Sequence, residues 1–73
     1  MKKAIFNFTN LGVPTMIADV SDKSDEYTEK AIKNFEMLGY KCKLYTCEDG
    51  KDFKVVISNV KKDGTKVYDV VSS

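Results

Sequence analysis

Ser24-Asp25-Glu26-Tyr27-Thr28-Glu29-Lys30-Ala31-Ile32-Lys33-Asn34-Phe35-Glu36-Met37-Leu38-Gly39 is the stretch that decides the fold class. Tyr27, Ala31, Phe35 and Leu38 recur at spacings of four, four and three. That period winds them onto one helical stripe, with Ile32 beside it and Met37 off it. Ser24 is the expected N-cap, and Asp25 and Glu26 follow in the first turn, where the helix dipole favours carboxylates. Glu26 with Lys30 and Glu29 with Lys33 are spaced to pair along the surface. Gly39 suits the left-handed residue that ends a helix.

On both sides of this helix the pattern changes to alternation. Lys3 to Thr9 sets Ala4, Phe6 and Phe8 against Ile5, Asn7 and Thr9, which reads as a strand. Asn10-Leu11-Gly12-Val13-Pro14 is a turn, and Thr15 to Val20 a second strand, so the chain opens with a hairpin. After the helix, Tyr40 to Cys47, Asp52 to Val60 and Thr65 to Val71 read as three strands. Glu48-Asp49-Gly50-Lys51 and Lys61-Lys62-Asp63-Gly64 separate them, and Asp-Gly is a strong hairpin signal. The expectation is a single α+β domain over 1–73, in the order ββαβββ. It comprises an antiparallel sheet of about five strands with one helix packed on one face.

Composition narrows the chemistry. His, Arg, Gln and Trp are absent, and all side-chain positive charge comes from 12 lysines. No imidazole is available as base, nucleophile partner or metal ligand. No guanidinium fork is available to grip phosphate or guanine. The expectation is a protein without enzymatic activity. No cofactor is expected: each glycine is explained by a turn or cap, which leaves no glycine-rich phosphate loop. No metal is expected either. Asp19, Asp22 and Asp25 lack the glycine and closing glutamate of a calcium loop and read as capping residues. Cys42 and Cys47, five apart, point to opposite faces of a strand and are expected as free reduced thiols.

Met1-Lys2-Lys3-Ala4-Ile5-Phe6 starts like a secretion signal, but the apolar run breaks at Asn7. No stretch approaches membrane-spanning length. A cytoplasmic protein is expected, in which the Asn7-Phe8-Thr9 sequon has no meaning. Lysine as the only basic residue type suggests an A-rich coding sequence, compatible with a low-GC bacterium or its phages and mobile elements.

One helix covers one face of such a sheet, so the other face carries the functional expectation. Its residues are Ile5 and Ile17, then Lys41, Lys43 and Tyr45, then Lys54, Val56 and Val60, then Lys66, Tyr68 and Val70. The helix side gathers Asp22, Asp25, Glu26, Glu29 and Glu36. A net charge of +1 then hides an acidic helix side and a basic sheet side. Lysines with β-branched and aromatic residues are ordinary on a half-solvated sheet. The same set is also an apolar patch with a cationic rim, which suits an interface.

The partner-binding residues are therefore expected to be Lys41, Lys43, Tyr45, Lys54, Val56, Lys66, Tyr68 and Val70. The expected function is a protein-binding module. It would be an inhibitor or regulator, of the type phages and mobile elements encode, that covers a site on a larger host protein. The alternative is a nucleic-acid-binding accessory protein using the Lys/Tyr face. A homodimer is compatible with both, and no membrane partner is expected. Lys2 and Lys3 are placed to pair with Asp19 or Asp69, and Cys47 to lie on the open face near Lys43.

Overall fold

A computed structural model describes all residues from Met1 to Ser73. The elements follow the expected order: β1 (Lys2–Phe8), β2 (Pro14–Asp19), α1 (Asp25–Met37), β3 (Cys42–Cys47), β4 (Phe53–Val60) and β5 (Lys66–Ser72). All strand pairs are antiparallel. The strands do not form one sheet, however. Three of them make a sheet in the order β2-β1-β3, and β4 and β5 make a separate two-stranded ribbon.

The split occurs at the Asp-Gly turn. Gly50 takes a φ of 84° and the Lys51 N–H donates to the Glu48 carbonyl, so the turn forms. It does not fold β4 back beside β3. Instead the Phe53 ring meets the Phe6 ring edge-on, with centroids 5.5 Å apart, and Val70 buries against Phe6 and Ala4. Asp52 and Ser73 exchange backbone hydrogen bonds that extend the ribbon at this end. Burying Phe53 and Val70 on the central strand wins over one more strand at the edge, because apolar area removed from water outweighs exchangeable backbone bonds.

Strand register assigns the two faces of the three-stranded sheet. Ala4 stands opposite Tyr45 and Phe6 opposite Lys43, on the face that meets the ribbon. Ile5 stands opposite Leu44 and Ala18, on the face that meets α1. On that second face Lys3 Nζ donates to the Lys23 carbonyl and lies 3.6 Å from Asp25 at the helix start. Ile5, expected on an open face, is 0% exposed. Ile17 is the extra residue of an irregularity between the Ile5 and Phe6 pairs.

Ser24 caps α1 as expected, its Oγ accepting from the Tyr27 N–H at 3.1 Å. The buried stripe is rotated from the expected one. Thr28 is buried, with Ala31, Ile32 and Phe35 half-buried, whereas Tyr27 is exposed and Leu38 is 74% exposed. Local bonds at the two ends explain the rotation. The Thr28 hydroxyl donates to the Ser24 carbonyl, which satisfies it and lets the side chain bury. At the other end Leu38 is the C-cap, and Gly39 turns with a φ of 93°. Gly39 N–H then donates to the Glu36 carbonyl and Tyr40 N–H to the Phe35 carbonyl, the paired bonds of a Schellman ending. The apolar contact that goes with this ending is made by Tyr40, whose ring stands edge-on to Phe35 at 5.8 Å. Tyr40 takes the place that spacing assigns to Leu38.

Only eight residues are buried, and the radius of gyration is 13.2 Å, against about 11 Å for a compact domain of this length. The ribbon is held at Phe53 and Val70, and its other end stands beside the β1–β2 turn, where Tyr68 is half-buried. No helix is long and apolar enough to cross a membrane.

Candidate functional site

The eight residues expected on a partner surface do not share a face. Val70 is 6% exposed and belongs to the core with Ala4 and Phe6. Tyr45 is half-buried; its ring stands edge-on to Phe6 at 5.5 Å and its hydroxyl donates to Asp69 at 3.2 Å. Burial, and then the carboxylate at its hydroxyl, raise its pKa above the ordinary tyrosine value. Tyr45 therefore joins the sheet to the ribbon. Lys54 stands opposite Val71 and Val56 opposite Asp69, so both lie on the ribbon face away from Tyr68 and Val70. Val60 returns to the Tyr68 face because an irregularity between Ile57 and Asn59 shifts the alternation by one residue.

The other four, Lys41, Lys43, Lys66 and Tyr68, come together at one end of the molecule. Here the β1–β2 turn, the α1–β3 connection and the β4–β5 turn meet. Phe8, Leu11, Gly12, Lys61, Lys66 and Tyr68 line a shallow groove between the first and last of these. Glu36, Tyr40, Lys41, Cys42 and Lys43 line a second groove, and Phe8 forms part of both. Lys43 Nζ lies 5.7 Å from the centre of the Phe8 ring, within cation–π range. Leu11 stands 83% exposed at the turn. None of Lys41, Lys43, Lys61, Lys62 and Lys66 is in an ion pair; the ion pairs involve Lys2, Lys3 and the terminal amine.

Charge is therefore divided along the strands rather than across them. The lysine-rich end holds five lysines against Glu36 and Asp63. The opposite end holds Asp19, Asp22, Asp25, Glu26, Glu48, Asp49 and Asp52 against Lys2, Lys3, Lys23 and Lys51, so carboxylates are in excess there. Lys2 pairs there with Asp52 and Lys3 with Asp25, not with Asp19 or Asp69. Asp19 instead accepts from the Ser21 hydroxyl and N–H at 2.6 and 3.0 Å, which holds its carboxyl below the usual range.

Phe8, Leu11, Tyr40 and Lys61 belong to this surface and alternation alone missed them. Alternation assigned Phe8 to the core, and Tyr40 was read as a strand residue. Leu11 did leave a signal: a large aliphatic residue at a turn apex beside glycine has no core to enter.

Cys42 and Cys47 are both free, and their pairings with Asn7 and Lys2 put them on opposite faces, as odd spacing requires. Cys47 is buried rather than on an open face, with its Sγ 3.8 Å from the Lys51 carbonyl. Burial, and then nearby Glu36, push the Cys42 thiol up. No three Cys, Asp or Glu side chains come together as metal ligands. The surface offers an apolar floor and a cationic rim, which suit binding to an acidic surface with apolar relief. No protein-family model, curated protein or solved structure matches this chain.

Proposed function

We propose that this chain is a binding protein without enzymatic activity, and that its lysine-rich end covers an acidic, partly apolar site on a larger protein. One observation carries this reading: the Phe8, Leu11 and Tyr68 groove lies among Lys41, Lys43, Lys61 and Lys66, none of them ion-paired. Exposed leucine and half-buried aromatic rings supply area to bury, and free ammonium groups supply orientation and on-rate. Small size, a lysine-only cationic complement and the lack of His and Arg fit an inhibitor or regulator of the kind phages and mobile elements encode, acting in the cytoplasm.

Affinity capture with wild-type and substituted bait tests the reading. A Tyr68→Ala, Leu11→Ala bait should lose the captured protein, because truncating a buried anchor costs about 2 kcal/mol or more. Lys43→Glu with Lys66→Glu should weaken capture most at low salt. Met37→Ala, on the exposed side of α1, should leave it intact. Unchanged capture by the groove variants, with loss on Met37→Ala, sinks the proposal.

A second reading has its own support. Glu48, Asp49 and Asp52 lie at the far end, so they do not repel phosphates from the lysines beside Phe8, Tyr40 and Tyr68. A single-stranded oligonucleotide held by four lysines would lose roughly 3 log units of affinity per tenfold rise in salt, from about 0.7 per contact. Titrating a random oligonucleotide at two salt concentrations separates the readings, since an apolar anchor depends far less on salt.

A further inference from the structure

We propose that β4 is the pairing edge for a second copy of this chain. Two β4 strands join antiparallel about a twofold axis at Val55, and two ribbons become one four-stranded sheet in the order β5-β4-β4-β5. The two surfaces share Lys61, at the β4–β5 turn, but Val55 and the regular part of β4 lie outside the lysine-rich groove, so a change at Val55 tests pairing apart from the binding role.

β4 is paired on one side only, with β5. Its other backbone bonds are local: Phe53 N–H donates to the Asp52 carboxylate and Val60 N–H to the Asn59 side chain. Between those two, the outer-side N–H and C=O groups of Val55 and Ile57 are open to another strand. The side chains agree. β4 has one charged residue in eight, Lys54, and no proline. By contrast the edge strand β2 begins at Pro14 and is irregular at Ile17. Val55, Ile57 and Val60 share one ribbon face and are 43, 51 and 56% exposed. A two-stranded ribbon is marginal in water, and a third and fourth strand relieve that.

Charge selects the occupant and the direction. β4 runs from the acidic turn, Glu48 to Asp52, to the basic turn, Lys61 and Lys62. Antiparallel pairing of two copies sets the acidic turn of each beside the basic turn of the other. Parallel pairing in register would stack Lys54 on Lys54 and Lys61 on Lys61, which is unfavourable. The regular part of β4 is Phe53 to Ile57, before the irregularity at Ser58. Centring the pair on that segment puts Val55 opposite itself, Phe53 opposite Ile57 and Lys54 opposite Val56. No like charges face each other, and the apolar residues of the two copies continue one row.

Sedimentation velocity across the micromolar range tests this. Wild type should move reversibly from the 8.2 kDa protomer to twice that mass as concentration rises. Val55→Lys places two ammonium groups on the axis and should weaken association by roughly tenfold or more, with circular dichroism unchanged. Met37→Lys, on the helix, should associate as wild type does. Hydrogen exchange on the unmodified protein guards against a misfolded variant: amides between Phe53 and Ile57 should gain protection with concentration. A wild type that stays monomeric throughout, or shows no such gain, overturns the proposal. So does a dimer that Val55→Lys leaves intact.

Discussion

Phe6→Ala is the most informative single change. Phe6 is 3% exposed and is the ring through which the three-stranded sheet and the ribbon meet. It stands edge-on to Tyr45 and to Phe53, each at 5.5 Å, and packs beside Val70. Truncating a buried phenylalanine costs about 3–5 kcal/mol, and two edge-to-face partners put this site in the upper half of that range. A domain of this length has roughly 4–11 kcal/mol of total stability. The substitution should therefore remove about half of the stability or more. Urea denaturation followed by circular dichroism measures it. A lower m-value would add that the ribbon has come off the sheet, because less surface is then exposed on unfolding. Leu38→Ala is the matched control: Leu38 is 74% exposed, so its loss should stay within about 0.5 kcal/mol. A cost below ~1 kcal/mol for Phe6→Ala, or an equal cost for Leu38→Ala, would refute the argument that the core lies between sheet and ribbon.

Three further outcomes are expected. Ser24→Ala removes the oxygen that accepts from the Tyr27 N–H and should cost about 1 kcal/mol in a thermal or urea melt. Alkylation of Cys42, followed against pH, should have its midpoint above that of an unstructured cysteine; Glu36→Gln should lower it only slightly, because burial is the larger cause. The depressed carboxyl of Asp19 favours the folded state above its unfolded pKa and loses that contribution as pH falls through its folded value. NMR titration should find Asp19 below the usual aspartate range, and Ser21→Ala should return it upward, since the Ser21 hydroxyl bond is the largest cause.

The candidate surface was legible in part, and the reason differs by residue. Lys41, Lys43, Lys66 and Tyr68 do lie together at one end, and lysine among alternating apolar residues is the pattern that groups them. Tyr45 and Val70 were drawn into the same set because alternation states which residues share a face, not whether that face is later covered. Ile5 was misplaced for the same reason: both faces of β1 are covered, one by α1 and one by the ribbon, so neither parity is free. Lys54 and Val56 fell on the wrong side of the ribbon because hairpin register is set by pairing, and Lys54 meets Val71 rather than Val70.

What the sequence determined by itself is local. The helix start at Ser24, its glycine ending, the turns at Gly12, Gly50 and Gly64 and the order of six elements follow from capping, positive φ and hydrophobic period. These are properties of a few neighbouring residues, and nothing distant competes with them. Three things were decided only in the tertiary structure: the division into a sheet and a ribbon, the replacement of Leu38 by Tyr40 against Phe35, and the lengthwise separation of charge. Each depends on residues far apart in the chain, such as Phe6 with Phe53 or Lys3 with Asp25. The energy of such contacts comes from area buried and charges paired between elements, and that is fixed only when the elements are packed.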